Sequence, residues 1–285
     1  MTRRSMAVFG LFMLGVTLGV LPPAHGEEVP FVPTPANVVD AMLSIAGVGS
    51  HDYVIDLGSG DGRIVIAAAK RYQARGLGID YDQTLIARSW ANAAREGVSD
   101  KVRFLHQDIF ASDFHDATVL TMYLLPEVNL ELRPRILFEL RPGTRVVSHD
   151  WDMADWEPDG RLVIQTPGKT VWPMKESTVY LWVVPARIEG YWRGTLAGPH
   201  GEEPVVVEFV QRFQVASANM WLRRWTMPGS GRIQGRSLSL NLDRSLWMPG
   251  STPLHFTLRV AEDRIEGEAA DGTERYLLRA RRLVD

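Results

Sequence analysis

Cysteine is absent from this 285-residue sequence, which excludes a disulfide framework and a cysteine-ligated metal site. An excess of basic residues is missing as well, because 31 lysines and arginines are balanced by 34 aspartates and glutamates, for a net charge of −3. Proteins that bind nucleic acid usually present a strongly basic face, so no nucleic-acid partner is predicted. There is also no internal repeat, low-complexity tract or metal-ligand spacing. What is left is a globular chain long enough to form two hydrophobic cores.

A glycine-rich segment near position 60 resembles the dinucleotide-binding motif G-x-G-x-x-G but lacks its third glycine. An apolar strand pattern at residues 53–57 contains Asp56, and an alanine-rich helical pattern starts a few residues later. The glycines between them are Gly58, Gly60 and Gly62. A strand, a tight turn and a helix start expose backbone N–H groups to a nucleotide-like ligand. The dinucleotide motif G-x-G-x-x-G requires a third glycine at position 63, where the sequence has Arg63, so an oxidoreductase is disfavoured.

Acidic residues accompany three consecutive strand patterns. Asp56 lies in the first, Asp80 ends the second at 75–80, and Asp108 follows the third at 101–107, while Asp61 lies inside the glycine turn. The carboxyl ends of parallel strands meet at one edge of a sheet, so these acids should surround one crevice. Carboxylates repel a pyrophosphate and suit a cation that carries ribose hydroxyls and an adenine amine. S-Adenosyl-L-methionine is therefore the predicted cofactor.

With its glycine turn and Phe31-Val32-Pro33-Thr34-Pro35, the chain resembles the class I S-adenosylmethionine-dependent methyltransferases. Within them it is most similar to the lysine methyltransferases of the mitochondrial adenine nucleotide translocase and ATP synthase c-subunit, with their bacterial relatives. The resemblance spans about residues 30–184 and implies that Asp80 holds the ribose hydroxyls, that Asp108 holds the adenine amine, and that the turn lies under the methionine part. The predicted cofactor residues are Thr34, Asp56, Gly58, Gly60, Asp61, Gly62, Asp80, Asp108 and Ile109.

One departure from these relatives concerns the acceptor. The mitochondrial enzymes carry Asp-Leu-Trp-Lys after the third strand, whereas this chain reads Asp108-Ile109-Phe110-Ala111. The resemblance implies methylation of a protein lysine, and a small molecule or lipid is the alternative acceptor. A non-catalytic exported module that binds a nucleoside-like ligand is also left open.

The acceptor side is expected where the fourth and fifth strands end. Tyr123 follows the fourth strand, and His149, Asp150 and Trp151 follow the fifth. Methyl transfer needs an aligned, deprotonated nucleophile. Aromatic walls would lower the pKa of an acceptor lysine, and a carboxylate or His149 would take its proton. The alternative is that His149 and Asp150 only end the fifth strand.

Strands and helices alternate from residue 53 to 149, which predicts an α/β fold with a doubly wound, Rossmann-like sheet. Further strands at 161–166 and 177–184 would complete a seven-stranded methyltransferase sheet. Thr34 is predicted to cap a helix at 36–46. The predicted strands are 53–57, 75–80, 101–107, 117–122 and 143–149, and the predicted helices are 62–73, 83–96 and 127–140.

The pattern changes after Pro185 to short alternating segments separated by glycine, proline and aspartate. Seven or eight strands without a helix predict a small antiparallel barrel or sandwich over 187–285, after a methyltransferase domain at 27–186. Such a barrel could hold an apolar ligand, dock a substrate or add stability, and its interior is expected to be filled by side chains. The predicted strands are 188–196, 204–214, 220–226, 231–242, 254–260, 264–268 and 275–283.

The first 26 residues resemble a secretory signal. Arg3 and Arg4 precede the apolar run 6–21, and Ala24-His25-Gly26 precedes the acidic Glu27. This order predicts export, to the periplasm or outside the cell, with cleavage after Gly26. A retained membrane anchor is the alternative, although the run is shorter than the roughly 20 apolar residues that span a bilayer. Export conflicts with a cofactor that is made in the cytoplasm.

Overall fold

The computed structural model describes residues 31–167, 169, 175–245, 248–272 and 274–283. The predicted signal segment lies outside these residues. Within them, no helix has the length and apolar character needed to cross a membrane.

The first half of the described chain forms a seven-stranded mixed sheet. Its strand order is β3-β2-β1-β4-β5-β7-β6, with β1 to β5 parallel and β7 antiparallel to both of its neighbours. The predicted methyltransferase-like fold class is confirmed, and the predicted bounds agree to within about two residues. The strands are β1 Tyr53–Leu57, β2 Arg75–Asp80, β3 Val102–His106, β4 Val119–Met122, β5 Arg145–His149, β6 Gly160–Gln165 and β7 Glu176–Val183.

Four helices connect and cover these strands. Each presents apolar side chains at helical spacing to the sheet, as Val38, Val39, Met42 and Leu43 do in the first helix. Clusters of buried apolar side chains lie on the two sides of the sheet, one with the first three helices and the other with the fourth. The helices are α1 Ala36–Ile45, α2 Arg63–Tyr72, α3 Gln83–Arg95 and α4 Pro126–Glu139.

The prediction that Thr34 caps the first helix is wrong. Pro35 is the N-cap residue of α1, and no side chain caps that end of the helix. The proline-rich segment places Thr34 one residue too early, and its side chain lies against His149 instead. In α3, by contrast, Asp82 caps in the usual way and accepts hydrogen bonds from the N–H groups of Thr84 and Leu85.

The second half of the chain is a closed antiparallel barrel of eight strands, which confirms the predicted all-β architecture in its barrel form. Each strand pairs with its neighbour in sequence, and β8 closes the barrel on β15. The strands are β8 Gly190–Gly198, β9 Gly201–Arg212, β10 Val215–Leu222, β11 Trp225–Gln234, β12 Ser237–Leu242, β13 Leu254–Ala261, β14 Arg264–Ala270 and β15 Arg275–Arg282.

Two predicted barrel strands are wrong because each contains a hairpin turn. The segment 220–226 crosses the turn between β10 and β11, where Arg223 takes a left-handed backbone conformation (φ 54°). The segment 231–242 crosses the turn between β11 and β12 at Gly235, which has a φ of 58°. Arginine is an uncommon residue in that conformation, so the first turn carries no ordinary sequence signal.

Apolar side chains fill the barrel, as the sequence predicts. Inward positions alternate with outward ones along every strand, and the inward side chains form one continuous cluster. Trp192, Phe209 and Phe256 are its largest members and are at most 1% exposed. This packing supports a stabilising role for the barrel.

The barrel contacts several parts of the sheet half, among them the loop that joins β5 to β6, residues 150–159. Three side chains near the ends of barrel strands bind this loop, and the Phe213 ring stacks on Trp156 with centroids 5.9 Å apart. The three contacts are Arg212 Nη2 to Asp155 Oδ2 (2.9 Å), Gln214 Nε2 to the Glu157 carbonyl (2.6 Å) and Arg232 Nη2 to Asp159 Oδ1 (2.5 Å). The barrel therefore holds the loop that begins with Asp150 and Trp151.

Candidate active site

The glycine turn between β1 and α2 is packed against an aromatic ring. Gly62 is the N-cap of α2 and has a φ of 79°, a conformation that favours glycine. A Cβ atom at Gly62 would lie 2.6 Å from the Phe104 ring, and one at Gly78 would lie 2.7 Å from the same ring. The turn can approach β2 and β3 only because both positions lack a side chain.

Asp56 is buried under this turn with 2% exposure. Burial raises the pKa of its carboxyl to about 7, and the nearby Asp80 and Asp61 carboxylates add to the shift. The Thr121 hydroxyl donates to Asp56 Oδ1 at 2.7 Å and partly offsets it. Asp56 therefore carries only part of a negative charge near neutral pH.

Asp80 and Asp108 end β2 and follow β3, as predicted. Asp80 Oδ2 accepts from the Gly60 N–H at 2.7 Å, and its Oδ1 accepts from the Asp82 N–H at 2.9 Å. Asp108 is exposed, and its Oδ1 accepts from the Phe110 N–H at 2.9 Å. Ile109, next to it, is half-buried. Backbone hydrogen bonds thus fix both carboxylates at the carboxyl edge of the sheet.

Asp61 forms an ion pair inside the turn. Both of its oxygens accept from the Arg63 guanidinium, at 2.8 and 2.6 Å, and Arg63 Nη1 donates to the Thr34 carbonyl at 2.8 Å. Burial would raise the pKa of Asp61, but the Arg63 contacts hold it below its usual value. The arginine that argues against a dinucleotide motif therefore ties the turn to the segment before α1.

The acceptor-side residues lie together at the ends of β4 and β5. The Tyr123 and His149 rings pack with centroids 3.9 Å apart. His149 is fully buried, and burial lowers its pKa to about 4, so the imidazole is neutral at physiological pH. Burial, with the Asp150 charge, raises the pKa of Tyr123 to about 12, so the phenol keeps its proton.

Asp150 is the charged centre of this group. Its Oδ2 lies 3.4 Å from the Tyr123 hydroxyl and 3.4 Å from His149 Nε2, and it accepts from Lys169 Nζ at 2.6 Å. Lys169 also donates to the Glu176 carbonyl at 2.8 Å. Trp151, half-buried, follows with its N–H on the His149 carbonyl.

Thr34 joins the two groups of residues. Its carbonyl accepts from Arg63 on the cofactor side, and its hydroxyl lies 3.4 Å from His149 Nδ1 on the acceptor side. On the other side of the imidazole ring, His149 Nε2 lies 2.9 Å from the Ser177 hydroxyl of β7. All predicted residues therefore lie along one edge of the sheet, and their individual roles stay predictions.

Four residues of this region were not assigned a role from the sequence: Arg63, Asn129, Lys169 and Ser177. Asn129 is buried in α4 and donates to the Trp151 carbonyl at 3.3 Å. This hydrogen bond attaches the 150–159 loop to α4. Lys169 and Ser177 reach Asp150 and His149 across 19 and 28 positions. Contacts at that separation leave no periodic signal in a single sequence.

Comparison with known proteins agrees with this geometry. Residues 56–160 match the model of the ANTKMT methyltransferase domain, which ends before the barrel begins. A protein-lysine N-methyltransferase of Saccharolobus islandicus is 40% identical over 162 residues, which is 56% of this chain and 97% of that protein. The adenine nucleotide translocase lysine N-methyltransferase of Mus musculus is 32% identical over 54% of this chain and 66% of its own length.

A solved structure is similar over the same share of the chain. It is described as an RNA methyltransferase from Salinibacter ruber in complex with S-adenosyl-L-homocysteine. Sequence identity is 48%, the TM-score is 0.50, and the match covers 55% of this chain and 96% of that one.

Proposed function

The chain belongs to the S-adenosylmethionine-dependent methyltransferase family that includes these protein-lysine N-methyltransferases, and we propose that its acceptor is likewise a lysine side chain of a protein. The observation that carries this proposal is the Asp150 carboxylate, which holds a lysine ammonium beside the Tyr123 and His149 rings. A site that binds one alkylammonium group in this way has the chemistry to bind another.

The residues on the cofactor side fit S-adenosylmethionine. Asp80 presents a fixed carboxylate at the end of β2, where two ribose hydroxyls would be held, and Asp108 follows β3, where an adenine amine would lie. Acids instead of bases in this crevice suit a sulfonium cation. When bound, this cofactor supplies an electrophilic methyl group.

On the acceptor side, the residues position a lysine and remove its proton. A lysine ammonium must lose a proton before its nitrogen can attack, and Asp150 is the carboxylate in contact with such a group. His149 has a pKa of about 4 and stays neutral, so it lies beside Asp150 as an uncharged ring whose Nε2 has the Ser177 hydroxyl as its hydrogen-bond partner. Asp150 would accept the proton of the acceptor lysine and pass it to solvent, and the bound cofactor would supply the methyl group to the freed nitrogen and leave as the neutral thioether.

RNA is the competing acceptor, because the similar Salinibacter protein is described as an RNA methyltransferase. Binding an RNA backbone requires a basic surface. The net charge of −3 offers no such surface overall, and the acceptor-side residues surround the Asp150 carboxylate, which repels phosphate and attracts an amine. These charges favour lysine.

Transfer of a labelled methyl group tests the acceptor directly. The full chain is incubated with methyl-labelled S-adenosylmethionine and, separately, with poly-L-lysine, a protein extract, total RNA and lipid vesicles. We expect methyl-lysine after hydrolysis of the protein samples, and loss of that product in Asp150→Asn with cofactor binding retained. Label in RNA or lipid, with none in lysine, would contradict the proposal.

The predicted location is a second part of the proposal. The basic head, apolar run and Ala24-His25-Gly26 support export with cleavage after Gly26. Changing Ala24 and Gly26 to bulky residues should block processing and leave the protein attached to the membrane. Mass spectrometry of the mature N-terminus, with a reporter fused after Asp285, checks this. A protein that starts at Met1 or Thr2 with a cytoplasmic reporter would exclude export.

A further inference from the structure

Lys169 is a buried lysine among the acceptor-side residues. It is 8% exposed, and its Nζ donates to Asp150 Oδ2 at 2.6 Å and to the Glu176 carbonyl at 2.8 Å. An alkylammonium beside one carboxylate and two aromatic rings is the group that a lysine acceptor would bring to the same place.

Asp150 is held by the backbone of β7, independently of Lys169. Its N–H donates to the Thr178 carbonyl at 2.7 Å, and its Oδ1 accepts from the Thr178 N–H at 3.0 Å. Asp150 also has a left-handed φ of 63°, which aspartate tolerates better than most residues. The carboxylate should therefore stay in position when Lys169 is removed.

Asp150 and Lys169 form an ion pair on the acceptor side, with Lys169 Nζ 2.6 Å from Asp150 Oδ2. Among the described residues, the Tyr123 hydroxyl and the His149 imidazole also lie near Asp150 Oδ2, and both are neutral at physiological pH. Lysine has a flexible four-carbon stem, so its ammonium can leave a site while the backbone stays in place. An incoming lysine ammonium would form the same ion pair with Asp150.

We infer that Asp150 is the subsite for the alkylammonium group of the acceptor and that Lys169 fills this subsite until an acceptor replaces it. The inference rests on the proposed function, since it assumes an amine acceptor. While Lys169 occupies the subsite, an acceptor cannot bind there. The apparent affinity for the acceptor is therefore the intrinsic affinity multiplied by the fraction of time that the subsite is free. If Lys169 fills the site nine-tenths of the time, the acceptor binds about tenfold more weakly than the site allows.

Lys169→Met tests this inference because it keeps most of the aliphatic volume and removes the charge. With poly-L-lysine as acceptor, we expect KM to fall about tenfold relative to wild type. Because Asp150→Asn is expected to abolish methyl transfer, the dependence on Asp150 is measured by binding and not by KM. Arg244→Met is the matched control, because it removes the cation of another buried ion pair, Arg244 with Asp271 in the barrel. That variant should leave KM unchanged.

A binding measurement separates the subsite from catalysis. The Lys169→Met protein is titrated with n-butylammonium chloride, and its melting temperature should rise saturably, whereas the Lys169→Met/Asp150→Asn protein should not respond. If Lys169→Met does not fold, the same titration is made on Lys169→Gln.

The outcomes distinguish the two proposals. An unchanged KM in Lys169→Met, or no saturable response to n-butylammonium, would overturn the inference while methyl-lysine formation by wild type upholds the proposed function. A saturable response that depends on Asp150, without methyl transfer to lysine by any variant, would support the subsite and overturn the lysine acceptor.

Discussion

The sheet half and the barrel half bury different kinds of side chains. In the sheet half, buried polar residues such as Asp56, Asn129, His149 and Lys169 gather near the carboxyl ends of the strands. Of the described barrel residues, only Gln214 and Arg244 are buried polar residues. Burial of a polar group costs free energy unless a partner satisfies it, so selection for stability alone removes such groups. The buried polar groups therefore concentrate in the sheet half, whereas the interior of the barrel is apolar.

The two halves nevertheless meet at one place that matters for the chemistry. The 150–159 loop begins with Asp150 on the acceptor side and continues to Asp155, Trp156 and Asp159, which contact the barrel. The barrel should therefore influence the acceptor without influencing the cofactor.

A cavity in the barrel core tests most strongly whether the barrel and the cofactor side are independent. Phe256→Ala removes a fully buried ring and should lower the free energy of unfolding by about 3–5 kcal/mol, without changing the affinity for S-adenosylmethionine. Chemical denaturation and calorimetry measure the two quantities. Phe104→Ala, under the glycine turn, is the matched variant and should lower both.

The pH dependence of stability sharpens the comparison within the sheet half. Asp56 has a pKa of about 7, raised from 3.8, so the folded protein keeps a proton that the unfolded chain loses above pH 4. The contribution of Asp56 to the free energy of unfolding therefore falls as pH rises from about 4 to 7, by about 4 kcal/mol in total. His149 has a pKa of about 4, lowered from 6.5, so its contribution rises over about pH 4 to 6.5, by about 3 kcal/mol.

These opposite slopes largely cancel in the wild-type protein below pH 6.5. Asp56→Asn should leave a stability that rises with pH over this range, and His149→Gln one that falls. Denaturation at several pH values between 4 and 7 measures the slopes. Two variants with the same slope as wild type would show that neither group titrates as described.

Substitution of Asp80 distinguishes an effect on cofactor affinity from an effect on stability. Asp80→Ala should weaken S-adenosylmethionine binding about a hundredfold or more, because two charge-assisted hydrogen bonds, at about 1.5–3 kcal/mol each, are lost. Asp82→Ala is the control two positions away, and by removing the cap of α3 it should cost about 1 kcal/mol of stability at unchanged affinity. Equal affinities for wild type and a folded Asp80→Ala protein would remove the ribose assignment.

The smallest expected effect concerns the barrel's hold on the loop. Phe213→Ala removes the ring that stacks on Trp156, a contact worth about 1 kcal/mol, and should lower kcat/KM for the acceptor severalfold with cofactor affinity unchanged. Tyr191→Ala, an aromatic residue 49% exposed elsewhere on the barrel, should change neither. Equal losses in both variants would show that the barrel does not act through this loop.

The sheet half was predictable because its local signals agree with its fold. Apolar runs, helix stops and alternate glycines all indicate the same strands, and the acids that end them follow from topology alone. The turn at Arg223 and the Thr34 contact were missed because an arginine in a left-handed conformation and a proline at the N-cap contradict the usual signals.

The group of acceptor-side residues was predictable only in part. Tyr123, His149, Asp150 and Trp151 lie just after strands, where chemistry is expected, and the structure brings them together. Lys169 lies between β6 and β7, outside any motif, and reaches Asp150 through the antiparallel pairing of β7 with β5. A side chain placed by tertiary structure leaves no trace in local sequence.

The ring of Phe104, wedged against Gly62 and Gly78, leaves the glycine turn little freedom to move. Glycines in an open loop sample many backbone conformations, and ordering each residue costs roughly 1–2 kcal/mol. Here the packing of one aromatic side chain imposes that order during folding, so a ligand finds the turn already in its final shape. The most flexible residue type thus forms a rigid surface, and cofactor binding should proceed with a small loss of conformational entropy in the protein.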